Sequence, residues 1–362
     1  MDLDELDTPA VLVDLDVLER NIARMAGWAA ERGVRLRPHA KTHKTLEIAG
    51  MQLASGACGL SVAKAGEAEV FARAGFRDLF VAYPVVGPHK LRRLVALAED
   101  SRLAVGVDSI EGAGAVAEAF KAANRRVDVL LKVDVGFHRV GVTPAEALRT
   151  ALRIGELPGL NLRGFFTHAG QAYHQESAEA VAAIGAIEGQ ILASVAAEAR
   201  AAGLAIEEVS PGSTPTAPHV MAVPGVTECR PGNYVFHDAT QVGLGVCSQA
   251  DCALTVLATI ASVSGRERAV ADAGSKTLSS DPLRPRPEGH GLLVGRRSRL
   301  RRLSEEHGVI DVEDGEVFQV GEHVRIVPNH SCVVVNLHDR LYGVRGQRVE
   351  AVLAVAARGM IQ

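Results

Sequence analysis

The amino-acid sequence predicts an α/β fold: a (β/α)8 TIM-like barrel followed by a C-terminal antiparallel β domain. Three observations predict it. Up to about Leu244, eight short apolar, β-branched runs alternate with longer Ala/Glu/Arg-rich segments, the pattern of parallel βα units. Beyond Leu244 the pattern changes to apolar–polar alternation at period two, broken by Gly and charge. The length of 362 residues accommodates a barrel of about 250 residues and roughly a hundred more.

In chain order, Asp14 and Asp16 stand at helix-capping positions. Leu15, Leu18, Ile22 and Met25 then recur at helical spacing, which predicts a helix to about Arg32. The strand candidates are 34–41, 58–63, 78–84, 102–108, 126–135, 160–170, 206–212 and 226–238. Ala-rich amphipathic stretches between them, such as 177–203, predict the outer helices. Eight alternating units favour a closed barrel, with a doubly wound open sheet as the alternative. In the second part, 252–265, 268–274, 317–337 and 340–356 read as strands of a domain of about 115 residues. The Pro- and Arg-rich segment 281–303 reads as a solvated loop rather than a functional basic patch.

Composition excludes several classes. With 47% hydrophobic and 23% charged residues, the chain is neither disordered nor fibrous. A net charge of −4 offers no field for nucleic acid, and 4% aromatic residues with the single Trp28 offer no base-stacking surface. The acidic start MDLDELDTPAVLVDLD lacks the features of a secretion signal, and no apolar run is long enough to predict a membrane span. Five scattered cysteines, with no CxxC pair, point away from a disulfide framework and towards a reducing cytoplasm.

The ionisable and small polar residues of the first part cluster at strand C-termini. They form PHAKTHK (38–44), VDVGFHRVG (133–141), THAGQAYH (167–174), SPGSTPT (210–216) and RPGNY (230–234). In a βα barrel these ends form one rim, where active sites lie. Lys41 ends the first of these strands. Near Arg37, His39 and His43, in a partly desolvated mouth, its amine form is favoured, as a Schiff base with an aldehyde requires. The alternative is an exposed loop lysine. SPGSTPT and RPGNY resemble phosphate cradles, with Gly for close approach and Ser213, Thr214 and Asn233 as donors. Together with Lys41 they point to pyridoxal phosphate. Arg139 suits a ring substituent or a rim salt bridge, and His168 and Tyr173 suit the border of the ring. His330 and Cys332, two apart on a predicted strand, face one side. They read as half an open zinc site or as a buried cysteine beside a surface histidine.

The segments TPAVLVDLDVLERNI, RPHAKTHK, SPGSTPT, RPGNYVFHD, DAGSK and PNHSC, in that order, resemble the D-serine dehydratase / D-threonine aldolase family. These are fold-type III pyridoxal-phosphate enzymes, more distantly related to alanine racemases. The resemblance spans essentially the whole chain. It implies a barrel over 14–244 and a β domain built from 1–13 plus 245–362, since the strand Ala10–Val13 joins that domain. It also implies a homodimer, with the active site between the barrel mouth of one subunit and the β domain of another. Lys41 would hold the cofactor. Thr214, Gly232 and Asn233 would hold its phosphate, with Tyr173 nearby, and Phe166 stands where some relatives are expected to have tyrosine. The pair His330–Cys332 is the dehydratase-like form of the metal motif and suits zinc. An oxygen-rich site would suit manganese or magnesium better.

The resulting expectation is a lyase dependent on pyridoxal phosphate and zinc. It would remove water and ammonia from a D-β-hydroxy amino acid, D-serine first, giving a keto acid and ammonia. The alternatives are a metal-dependent D-threonine or 3-hydroxyaspartate aldolase, and a non-catalytic carrier of the cofactor. Whether Lys276 reaches a neighbouring subunit's site stays open.

Overall fold

A computed structural model describes residues 1–283 and 289–362. Its strands are β1 (Ala10–Asp14), β2 (Arg35–Leu36), β3 (Leu60–Val62), β4 (Asp78–Val81), β5 (Arg102–Val107), β6 (Val127–Lys132), β7 (Leu160–Phe166), β8 (Glu208–Ser210) and β9 (Glu228–Cys229). They continue with β10 (Leu254–Ser264), β11 (Arg268–Ala271), β12 (Gly291–Leu293), β13 (Arg299–Leu303), β14 (Gly308–Asp311), β15 (His323–Pro328), β16 (Arg340–Arg345) and β17 (Arg348–Ala354). The helices are α1 (Leu15–Glu31), α2 (Leu46–Ala54), α3 (Ala65–Arg73), α4 (Pro88–Asp100), α5 (Ile110–Ala122), α6 (Pro144–Gly155), α7 (Ala178–Ala201), α8 (Ala217–Val220), α9 (Ala239–Gly243), α10 (Ser275–Leu278) and α11 (Ser331–Leu337).

Strands β2 to β9 are the eight expected parallel strands. β3 to β8 pair in sequence order, and β2 pairs with β9 in parallel. Thr227 N donates to Val209 O at 3.0 Å, and His39 bridges Ser61, so both seams are bonded and the sheet closes into a barrel. The open-sheet alternative is therefore set aside. Helix α1 begins where Asp14 accepts from Val17 N at 3.0 Å, and it buries Leu18, Ile22, Met25 and Ala29 at the predicted spacing.

The rest of the chain forms a nine-stranded sheet in the order β11-β14-β13-β12-β15-β10-β1-β16-β17, and β11 also pairs with β10. β1 lies between β10, antiparallel, and β16, parallel. Three expectations need correction. β12 and β13 occupy part of 281–303, against the expectation of a loop: Leu293 and Leu300 are buried between Arg-rich faces, a weak alternation that Pro and Arg obscure. Residues 284–288 of that segment lie outside the described residues. The strand expected through 317–337 stops at Pro328, and α11 follows. Its Val333–Val335 run has β-branched composition, yet Val334 and Val335 are buried on a helix face. Finally, α7 is long and apolar enough to cross a membrane by length and composition, contrary to the sequence expectation. Its inner face, including Leu192, Ala196 and a buried Glu188, packs on the protein.

The barrel floor is polar as well as apolar. Arg37, 5% exposed, donates through Nε to Glu228 at 2.8 Å and also pairs with Asp78. Ser210 Oγ donates to the other Glu228 oxygen at 2.7 Å. Removing one member of such a pair strands a buried charge. Glu228→Ala is predicted to lower stability by about 3 kcal/mol in urea unfolding of the cofactor-free protein. Asp78→Ala, at the better exposed partner, should cost less. A Glu228→Ala loss below about 1 kcal/mol would contradict this account of the floor.

Candidate active site

One cavity of about 360 Å³ opens at the strand C-termini, where the barrel meets the β domain. All ten residues singled out from sequence line it: Lys41, Arg139, His168, Tyr173, Ser213, Thr214, Gly232, Asn233, His330 and Cys332. A second cavity, of about 230 Å³, lies beyond Thr214 and Tyr234 against Trp28 and Pro218, and has no other of these residues. Lys276 stands apart from both. It is exposed on α10 and pairs with Glu305 at 3.0 Å and Glu306 at 2.8 Å.

Lys41 lies on a single 3-10 turn, Ala40–Thr42, just past the bridge at His39, and its side chain is exposed. The flanking residues are fixed. His43 Nδ1 accepts from Thr45 N at 3.1 Å. His43 Nε2 then bonds Gln52 Oε1 at 3.2 Å, and Gln52 Nε2 donates to the Tyr234 hydroxyl at 2.9 Å. Burial pushes the His43 pKa down to about 4, against the pull of these bonds. Lys44 Nζ pairs with Glu67 at 3.2 Å and donates to Asn336 at 2.8 Å. The cationic neighbours expected for Lys41 are thus corrected. Arg37 points to the barrel floor and is neutralised there, and His43 turns away into a neutral chain of hydrogen bonds.

The phosphate-type loops are held from below by Glu188 of α7. Its carboxylate accepts from Ala169 N at 3.1 Å, Gly212 N at 2.9 Å and Thr216 Oγ1 at 2.8 Å. Thr214 Oγ1 accepts from Tyr234 N at 3.0 Å, so the two loops are stitched together. A Cβ at Gly232 would stand 2.7 Å from Thr42 Oγ1 and 3.0 Å from the His39 carbonyl oxygen, so only glycine lets the loop approach the lysine turn. Asn233 Nδ2 donates to Asp238 at 2.5 Å, while Asn233 Oδ1 is buried without a partner. A cradle of small residues and hydroxyls beside a lysine, which a Cβ at Gly232 would fill, fits a phosphorylated aldehyde.

The walls carry positive charge. Arg230 is buried under the cavity, donating to Thr167 O at 2.6 Å and Ser210 Oγ at 2.5 Å. Lys132 Nζ sits 4.7 Å from the centre of the Phe166 ring. Burial, with Arg230, Arg139 and Lys41 nearby, pushes its pKa down to about 7. His39 and His168 lie well below the ordinary histidine value, first from burial and then from the same cations, so both are neutral at pH 7. The His168 ring is 5.9 Å from Phe137, edge to face, and 6.3 Å from Tyr173. Tyr173 is held protonated by burial and by Cys332 and Asp238. Phe166 is fully buried beneath this layer, edge to face with Phe80 at 5.1 Å. It does not line the cavity.

His330 caps α11 and Cys332 lies in its first turn, so a helix start, rather than strand alternation, brings them together. Burial opposes charge on both. Even so, their mutual attraction, with Asp281 beside His330, raises the histidine pKa well above the ordinary value, and the imidazolium lowers that of the thiol. His330 Nδ1 is 3.2 Å from Asp281 Oδ2, and Cys332 Sγ is 3.3 Å from Thr42 Oγ1. An imidazole and a thiolate are the donor set of zinc. Among the described residues no group of three or more His, Cys, Asp or Glu is placed to hold a metal, so such a site would be open to water and substrate.

Sequence reasoning did not single out Arg230, Lys132, Glu188, Asp238 or Gln241. Arg230 carried a signal, a cation ahead of Pro-Gly at a strand end. Asp238 carried another, a cap ahead of a short helix. Glu188 had none, since one acid in an Ala-rich helix reads as surface.

Comparison with known proteins decides the family. Residues 13–240 match the family described as alanine racemase, N-terminal domain, and 253–344 the putative serine dehydratase domain. The chain belongs to the D-serine dehydratase / D-threonine aldolase family. It is 36% identical to D-threo-3-hydroxyaspartate dehydratase of Delftia sp. (strain HT23), over 99% of this chain and 96% of that one. It is 32% identical to D-serine dehydratase of Dictyostelium discoideum, over 92% of each. The D-threonine aldolase structure from Filomicrobium marinum superposes with a TM-score of 0.92 at 34% identity, covering 100% of this chain and 98% of that one. A cysteine-to-alanine variant of the hydroxyaspartate dehydratase has been solved in a metal-free form. Membership makes this chain a pyridoxal-phosphate-dependent lyase of D-amino acids, with the barrel and β domain of the alanine racemase fold.

The cation cluster makes a testable statement about Lys132. Its folded pKa of about 7 lies below the unfolded value near 10.5. As pH falls from 10.5 to 7, the unfolded chain takes up a proton that the folded chain refuses, so stability falls. Relative to Lys132→Met, cofactor-free wild type is predicted to gain up to about 4 kcal/mol between pH 7 and pH 10. Parallel stability curves for the two proteins would contradict the assignment.

Proposed function

We propose that this protein is a zinc-assisted dehydratase of a D-β-hydroxy amino acid, with D-serine the leading substrate, releasing a keto acid and ammonia. The observation that carries this reading is the His330–Cys332 pair on the same cavity as Lys41. Lys41 would hold the cofactor, and its amine, freed when the substrate's amine takes its place, would take the α-proton. The cofactor, when bound, supplies a sink for the electron pair left at the α-carbon. Arg139 and Arg230 place positive charge on the cavity, where a phosphate and a substrate carboxylate would collect. Neutral His168 and Phe137 shape the wall without adding to that charge. His330 and Cys332 would hold zinc, a Lewis acid that assists departure of the β-hydroxyl. Thr42, next to Lys41, fixes the thiol.

Aldolase chemistry on the same residues is the second reading, favoured by the likeness to D-threonine aldolase. Protein reconstituted with pyridoxal phosphate and zinc is expected to convert D-serine to equimolar keto acid and ammonia. Chelation should lower the rate at least tenfold. Glycine and an aldehyde from D-threonine or 3-hydroxyaspartate, with no ammonia, would replace this reading by the second. Lys41→Ala is expected to lose the visible absorption of bound cofactor and about 10³-fold or more in turnover; a persistent band would contradict the role of Lys41. Cys332→Ala should lose stoichiometric zinc, and retention of both zinc and turnover would refute the metal assignment.

The homodimer belongs to this proposal. It rests on what family membership implies, and a monomer mass in sedimentation equilibrium would remove it. A reducing, cytoplasmic location is supported by the five unpaired cysteines. A fluorescent fusion recovered outside the cytoplasm would refute it.

A further inference from the structure

Gln241 lies in the short helix α9, fully buried, and lines the cavity. Its main chain is committed: N–H donates to Asp238 Oδ1 at 3.1 Å, and the carbonyl accepts from Val246 N at 3.2 Å. Its side chain has no partner, since neither Oε1 nor Nε2 has a hydrogen bond. Leaving both ends of a buried amide without a partner is costly, so a site that keeps both empty is built for something that fills them.

Its neighbours say where that something sits. Thr240 Oγ1 donates to Asn329 O at 2.7 Å, and Ser331 N donates to Asp238 Oδ2 at 3.1 Å. These bonds hold α9 against the turn that carries His330 and Cys332. The two empty ends say what it is. A phosphate or carboxylate only accepts, and would leave Oε1 empty. An ammonium only donates, and would leave Nε2 empty. A hydroxyl does both, and one hydroxyl can bond both ends of a single carboxamide.

We propose that Gln241 recognises the β-hydroxyl of the substrate, Oε1 accepting from it and Nε2 donating to its oxygen. This rests on the reading of the cavity as a site for D-β-hydroxy amino acids. It makes Gln241 a residue that separates such substrates from D-amino acids lacking the hydroxyl, independently of the metal.

The test compares D-serine with D-alanine, which lacks only that hydroxyl. Binding is read by stopped-flow absorption of the bound cofactor in chelator-treated holoenzyme, so that metal contacts do not contribute. Wild type is expected to bind D-serine about tenfold tighter, the equivalent of one or two neutral hydrogen bonds. In Gln241→Met, close in shape but apolar, the ratio should fall to about one. Gln241→Glu keeps the acceptor, should give an intermediate ratio, and decides the matter if the methionine variant does not fold. A wild-type ratio in the variant overturns the assignment to Gln241 alone and leaves the amide to an ordered water. Failure of wild type to bind either amino acid overturns the reading of the cavity, and this assignment with it.

Discussion

The carboxylate of Asp238 joins the parts on which the site depends. One oxygen caps α9 by accepting from Gln241 N at 3.1 Å. The other accepts from Asn233 Nδ2 at 2.5 Å and from Ser331 N at 3.1 Å. Three pieces of chain meet there: the loop after β9, the helix after it, and the start of α11 in the β domain. Ser331 Oγ adds a bond to the His237 carbonyl at 2.6 Å. Charge-assisted bonds to a fully buried carboxylate are strong and costly to break. The phosphate-type cradle and the His330–Cys332 turn are therefore positioned by one group.

The second junction is between Thr42 and Cys332. It ties the lysine turn to the same helix start, 290 residues away in sequence. The lysine turn in turn leans on Gly232, where any side chain would strike it. Barrel and β domain thus form the cavity together, and an isolated barrel would lack the two groups proposed to hold a metal. Around this frame the charge is deliberate in its sign. Cations crowd the mouth, while His39 and His168 stay neutral, as suits a site that gathers phosphate and carboxylate.

Much of this was legible in the sequence because the signals were local. Eight βα alternations specify a barrel and strand C-termini specify its rim, so the gathering of Lys41, Thr214 and Asn233 on one cavity was legible in the sequence. The Asp14 cap and the spacing of Leu18, Ile22 and Met25 placed α1 for the same reason. What escaped was non-local or masked by composition. Glu188 acts through loops that only the fold brings over α7. The Val333–Val335 run suggested strand, and burial of one helix face overrode that propensity. Arg37 and His43 stood close to Lys41 in sequence, but their partners, Glu228 and Gln52, lie far along the chain or on another element.

The central claim is that one cavity, made by both domains, holds the cofactor on Lys41 and a metal between His330 and Cys332. Anomalous scattering at the zinc edge, from crystals of the protein loaded with pyridoxal phosphate and zinc, tests it most directly. The account predicts one strong peak bonded to His330 and Cys332, in the cavity where density for the cofactor joins Lys41. A zinc peak on other residues, or cofactor density away from Lys41, would contradict it.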